Sequence, residues 1–486
     1  MSAQRTGAAS RRANRYELVS GLGRLTRAER AALGTTARAE VPRETHALFD
    51  PPPDRADPVA LLEEQSKTRV PELVPVRWGR MMVSPFTYYR GAALPMASDL
   101  AGTPVSGLAV QACGDAHLSN FGVFGSAEHH LVFDVNDFDE TLPGPWEWDV
   151  KRLAASVEVA ARANQYSDKD RQKIVMATAA SYRQAMRDFA GKTNLEVWYA
   201  HADVDQLVVE LQSRMDARQR KLLEKNLSKA RTRDSLEEVS KLTRLVDGQR
   251  RLISDPPLLV PVDELLPKKA DRDATLAQLK DQVARYRLTL QTDRRHLLEQ
   301  FEFVDIARKV VGVGSVGTRC WVVLMLGGQD SDPLFLQVKE AEESVLSRFV
   351  GTSKYTNEGE RVVAGQRLMQ ASSDIFLGWQ RAAGKLDGKQ FDYYVRQLRD
   401  WKLSLDIATM VPRGMRLYGE LCGWTLARAH ARSGDRIAIA AYLGGSDVFD
   451  IAVNEFAVSY ANQNERDHKA LVDAVSSGRI TAEREM

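Results

Sequence analysis

With 486 residues and a formal charge of +2, the chain is nearly neutral, so no global field draws it to nucleic acid or to a membrane surface. The 44% hydrophobic and 27% charged fractions are those of an ordinary globular protein, and the length calls for two or more lobes. Cys113, Cys320 and Cys422 are too few and too scattered for a disulfide framework or a CxxC zinc site. With no apolar run near about 18 residues and no signal-peptide pattern, the expectation is a soluble, cytoplasmic protein.

Residues 1–55 are rich in Arg, Ala and Pro and end in Asp50-Pro-Pro-Pro-Asp54, which predicts a basic, disordered tail. From Asp57 to about Met96 a helical pattern leads into the apolar, aromatic segment Met81–Arg90, expected to pack beneath the motif that follows. That motif is Cys113-Gly-Asp-Ala-His-Leu-Ser-Asn120, and Phe133-Asp-Val-Asn-Asp-Phe-Asp-Glu140 comes soon after it. Phe121–Phe124 and Leu131–Val135 read as two short strands with Gly125-Ser126 in the turn. The turn would gather Asp115 and Asn120 with Asp134, Asn136, Asp137 and Asp139, oxygen donors suited to a hard cation and phosphate.

After Pro143-Gly-Pro145, Asp149 begins a run with helical apolar spacing at Val150, Leu153, Ala154 and Val157. It is either a helix cap or a brace for the preceding loop. Residues 166–300 read as helical apart from Asp255–Val262, and their charges at i, i+3 and i+4 are solvent faces rather than a nucleic-acid surface.

The texture changes at Phe301. Val310–Leu326 reads as strand, glycine loop, strand, and Leu334–Glu340 as a third strand. Gly312, Gly314 and Gly317 lack Cβ atoms, so their backbone can approach phosphate oxygens closely, with Ser315 at the tip. No helix follows the loop, which argues against a Rossmann turn and a Walker A loop. A glycine loop between strands with Lys339 on the next strand fits instead the site that covers ATP in kinases. A lone buried Lys needs an anionic partner; phosphates supply one, and Glu360, Glu342, Glu343 or Glu358 could supply a carboxylate. Residues 358–372 form a predicted helix, and Asp374–Gln380 and Phe391–Arg396 a strand pair around the turn 384–388. From Trp401 the pattern is helical again, and His430 reads as a packed or capping histidine.

Gly114-Asp-Ala-His-Leu-Ser-Asn120 resembles the catalytic loop of aminoglycoside phosphotransferases and related kinase-like enzymes, which place an Asp five residues before an Asn. Asn136-Asp-Phe-Asp139 is similar to their metal-binding Asp-Phe segment, Trp148-Asp149 to the Asp that opens their next helix, and Leu426–Ala431 to the helix leading into their catalytic loop. From about residue 56 onward the chain also resembles an uncharacterised bacterial family, domain of unknown function 2252.

The resemblance implies an α+β, protein-kinase-like two-lobe fold. The order of parts departs from it, because Asp115 precedes Gly312, and this predicts a circular permutation. The expected parts are a tail at 1–55, a catalytic-loop and metal-site part of the large lobe at 56–165, its helical part at 166–300, a small nucleotide-binding β lobe at 301–400, and returning helices at 401–486.

The implied activity is an ATP- and Mg2+-dependent phosphotransferase acting on a hydroxyl acceptor. Asp115 would be the base or orienter, and His117 would either orient the loop or touch phosphate, or else be a hydrogen-bonded structural histidine. Asn120 and Asp137 would bind Mg2+, with Asp134 as a rival and Asp139 as a second ligand. Gly312, Gly314, Ser315, Gly317 and Lys339 would hold ATP, with Glu360 one candidate partner of Lys339. Alternatives are a nucleotide-binding pseudokinase scaffold, a nucleotidyltransferase, and an Asp/His metal hydrolase without ATP. Cys113 departs from the His or Arg that many kinases carry two residues before the Asp.

Overall fold

The apolar, β-branched stretches of the chain's second half build one antiparallel sheet. Its strands are β8 (Leu259–Pro261), β9 (Glu302–Lys309), β10 (Cys320–Leu326), β11 (Pro333–Ala341), β12 (Gly378–Ala383) and β13 (Gln390–Gln397), in the order β12-β13-β11-β10-β9-β8. The glycine loop joins β9 to β10, and Lys339 stands opposite Tyr394 of β13. The computed structural model describes residues 13–483 except 17, 19–21, most of 213–234, 267, most of 269–279, 329–331, 384–389 and 399–404. The predicted turn at 384–388 therefore lies outside the described residues, as does the start of the helical stretch at Trp401.

The other body of the molecule is mainly helical and draws on both halves of the chain. Trp146–Ala163, Asp168–Gly191, Pro412–Ser433, Arg436–Leu443 and Val448–Ser476 share a single apolar core with the segments around the first motif. Two short ladders lie on this body: β1 (Ala109–Ala112) with β4 (Leu142–Pro145), and the hairpin β2 (Phe121–Gly125) and β3 (Leu131–Val135), edged by β5 (Ala202–Asp203). A second apolar cluster, including Ile306, Val323, Leu336 and Val395, underlies the large sheet. The helix Glu358–Met369 lies between the two bodies, against β12, β13 and the helix Pro412–Ser433. The molecule is thus a mixed α+β protein. No single helix among the described residues is long and apolar enough to cross a membrane.

Three expectations need correction. Residues 1–55 do not form a disordered tail throughout, for Arg27–Glu40 is a helix started by a Thr26/Glu29 capping box. It docks on Arg436–Leu443, and the buried Arg30 donates to Asp435 at 2.8 and 3.0 Å. Residues 166–300 are not wholly helical: β6 (Thr243–Val246) and β7 (Gln249–Leu252) form a hairpin. Asp247 and Gly248 both have positive φ there, the geometry that Asp-Gly favours in a tight hairpin turn. The strand before the glycine loop is Glu302–Lys309 rather than Val310-Val311. Its buried Asp305 disguises it, a strand-disfavoured residue kept because it accepts the Leu252 N–H at 2.9 Å.

The docking of the first helix is testable at Gly34, where an added Cβ would meet the Ala438 carbonyl oxygen at 1.9 Å. Gly→Ala in a free helix gains about 0.5–1 kcal/mol. Gly34→Ala should instead lose about 1–3 kcal/mol in urea unfolding, as overpacked contacts do.

Candidate active site

The hairpin of β2 and β3 brings the two acidic segments together. Phe121 pairs with Val135, and the Asn136 N–H donates to the Asn120 carbonyl at 2.8 Å. Leu118–Asn120 is a 3-10 turn in which the Asn120 side-chain amide donates to the Asp115 carbonyl at 2.7 Å. That bond leaves the Asn120 amide oxygen available to the cavity.

The loop is held from below by Asp149. Its carboxylate accepts the N–H groups of Cys113 (2.7 Å) and Gly114 (3.0 Å) and meets His430 Nε2 at 3.0 Å. The helix begins at Trp146 with Pro145 in the capping position, so Asp149 is the brace and not the cap. The other ring nitrogen of His430 meets the Tyr182 hydroxyl at 2.9 Å, which makes it the packed histidine expected. With Cys113 tied by its backbone, the loop is fastened without a side chain at that position.

One turn along the same helix, Arg152 donates from Nε to Asp115 Oδ1 at 2.8 Å and approaches the same oxygen through Nη2 at 2.7 Å. It also stacks on the Tyr89 ring and donates to the Tyr89 carbonyl. The segment Met81–Arg90 therefore does lie beneath the motif. No sequence motif singles out Arg152; the signal that could have found it is that Asp149 and Arg152, at i and i+3, share a helix face. His117 Nε2 stands 3.6 Å from Asp115.

Lys339 reaches this hairpin from the sheet. Its buried ammonium contacts Asp139 and lies 3.9 Å from Asp137. The Tyr394 hydroxyl donates to Asp139 at 2.8 Å, and the Ser315 hydroxyl lies 3.4 Å from the same carboxylate. Glu360 is not the partner of Lys339, nor are Glu342, Glu343 or Glu358. Lys339 is directed at the hairpin, Glu358 is paired with Arg361, and Glu342 and Glu343 line the cavity instead. Arg361 donates to the carbonyls of Thr141, Asp139 and Glu342 at 2.7–2.8 Å, stitching the acidic segment to the strand exit. Nothing in the sequence around Arg361 signals that role.

Asp134 is removed from the metal candidates. It is buried in β3, ion-paired with Arg428, and accepts the Ala371 N–H at 2.9 Å. Asp115, His117, Asn120, Asp137 and Asp139 do face one cavity of about 530 Å3, together with Gly312, Gly314 and Ser315. Gly317 lies apart from that lining, packed on Arg69. Among the described residues no three His, Cys, Asp or Glu side chains converge as a metal cage.

Burial pushes the Asp115 carboxyl up, against the pull of Arg152. Burial and the neighbouring Asp139 raise Asp137, whereas Asp139 is held low because Lys339 and Tyr394 outweigh its burial. Burial, aided by Arg152 and Arg90, keeps His117 neutral.

A family model described as an uncharacterized protein conserved in bacteria (DUF2252) matches residues 69–474. The chain belongs to this family. No curated protein and no solved structure matches it.

Glu140, also in the cavity wall, accepts the Val345 N–H at 2.7 Å, and burial pushes its carboxyl up to about 7. A carboxyl raised in the folded state costs stability as pH climbs from its unfolded value, about 4.3, toward its folded one. The stability of the parent relative to Glu140→Gln should therefore fall between about pH 4.5 and 7 and level off above. Urea unfolding of both proteins across that range measures it.

Proposed function

We propose that the protein is an ATP- and Mg2+-dependent phosphotransferase of circularly permuted, kinase-like construction, acting on a hydroxyl acceptor. The observation that carries this reading is the ammonium of Lys339, 3.9 Å from Asp137, whose own carboxylate faces a cavity together with Asp115, Asn120 and the glycine loop. These groups come from segments some 200 residues apart, in an order opposite to that of ordinary kinases.

The permutation is supported by the end of the helix Pro412–Ser433. The Ser433 hydroxyl accepts the Gln111 N–H of β1 at 3.1 Å, so the helix ends where the strand entering the catalytic loop begins. A connection from the end of this helix to β1 would restore the usual order of helix and catalytic loop.

The donor set suits Mg2+, which binds through one or two carboxylates and substrate phosphates rather than through an all-protein cage. Asn120, Asp137 and Asp139 are the oxygen donors at hand. Asp137, raised by burial beside another carboxylate, gains from a cation. Bound there, Mg2+ would neutralise phosphate charge. Lys339 would hold phosphate oxygens in exchange for Asp139, Gly312, Gly314 and Ser315 would cover them, and Asp115, fixed by Arg152 and Asn120, would orient the acceptor hydroxyl and take its proton. Gly317 would shape the loop from its base. The hydrolase alternative loses Asp134 from its donor set, because that residue is engaged by Arg428.

In a thermal-shift assay MgATP should stabilise the parent, and Lys339→Ala and Asp137→Ala should lose most of that shift. No shift in the parent ends both the transferase and the scaffold readings. Asp115→Ala should keep the shift and lose about 10²–10⁴-fold in turnover of labelled ATP. A scaffold would show no turnover to lose, and label followed on the α as well as the γ phosphate separates nucleotidyl from phosphoryl transfer.

A further inference from the structure

Among the described buried arginines near the site, Arg152, Arg428 and Arg361 are matched to the carboxylates of Asp115, Asp134 and Glu358, and Arg69 and Arg77 donate instead to the Val316 carbonyl and to Ser66 and Gln65. Arg90 is different. It lies in the last turn of the helix Pro85–Gly91 and lines the cavity. Its buried Nε has no hydrogen-bond partner, and among the described residues no carboxylate forms an ion pair with it. The charges it senses are Asp115, which Arg152 already holds, and the like-charged Arg80, which donates to the Gly312 carbonyl.

Position adds to charge. The tip of the glycine loop rests on Arg90, for a Cβ on Gly314 would meet the Arg90 carbonyl oxygen at 3.0 Å. Arg90 thus lines one cavity with both Asp115 and the loop proposed to cover phosphates. An unpaired guanidinium at low exposure carries a desolvation cost that an anion removes. A planar fork of N–H donors matches phosphate oxygens.

We infer that Arg90 forms an anion subsite between Asp115 and the glycine loop that takes a phosphoryl group. That group is either the γ-phosphoryl in transit, whose charge Arg90 would offset as an arginine supplied from within the chain, or a phosphate carried by the acceptor. The link to transfer rests on the phosphotransferase reading; the binding of the anion does not.

The probe is inorganic phosphate, titrated by thermal shift and by phosphorus NMR line width, on the full chain. Phosphate should stabilise the parent. Arg90→Gln should weaken its affinity roughly tenfold or more, the loss of a charge-assisted hydrogen bond, and Arg90→Lys should recover part of it. A non-hydrolysable MgATP analogue that cancels the phosphate effect assigns the subsite to the γ-phosphoryl. An additive effect assigns it to the acceptor. No phosphate effect in the parent, or an equal effect in Arg90→Gln with its melting transition intact, overturns the inference. If Arg90→Gln does not fold, Arg90→Lys decides, since unchanged affinity there, where the fork geometry is gone, counts against the subsite. A parent that responds to phosphate but not to MgATP overturns the nucleotide reading alone.

Discussion

A buried ammonium has to be met by negative charge, and that requirement ties this fold together at Lys339. Only 3% exposed, it lies between strands whose other residues are largely apolar. Its counter-charge comes from Asp139 and Asp137, two hundred residues earlier in the chain. Removing Lys339 would leave two neighbouring carboxylates without their counter-charge, a loss of about 3–5 kcal/mol. The sheet is therefore fixed over the hairpin, and Tyr394 and Ser315 converge on the same carboxylate.

Beneath that contact lies a second polar layer. Asp149 fixes the backbone at Cys113 and Gly114 while Arg152, one turn on, fixes the side chain of Asp115. One helix thus controls both the path of the loop and the direction of its acid. Arg361 performs a similar office from the opposite side, joining the carbonyls of Asp139 and Thr141 to that of Glu342. The cavity between these layers is strongly charged, which keeps its carboxyls at unlike ionisation: Asp139 low beside Lys339, and Asp137 and Asp115 raised by burial. Such separation of like groups is what a site needs if one carboxyl is to carry charge and another a proton.

The site is legible in the sequence wherever its chemistry is local. The hairpin of 121–135 follows from alternation and its turn, so the meeting of Asn120 with Asn136 and Asp137 follows from residue order alone. The glycine loop and the Lys strand are legible for the same reason, although the leading strand begins earlier than its apolar pattern suggests because Asp305 breaks that pattern. The hairpin at 243–252 is written plainly in Asp247-Gly248, yet charged residues at helical spacing surround it and mask the turn.

By itself, the sequence determined the short-range elements and the residue types that bear the chemistry, since turns, strands and glycine loops depend on neighbours within a few positions. Only the tertiary structure decided the pairings. Spacing offered four glutamates for Lys339 and three aspartates for a metal. The fold gave Lys339 to Asp139, withdrew Asp134 to Arg428 and placed Arg152 under Asp115. A buried charge is satisfied by whatever opposite charge packing brings within reach, and for Lys339 that partner lies on a distant segment of the chain.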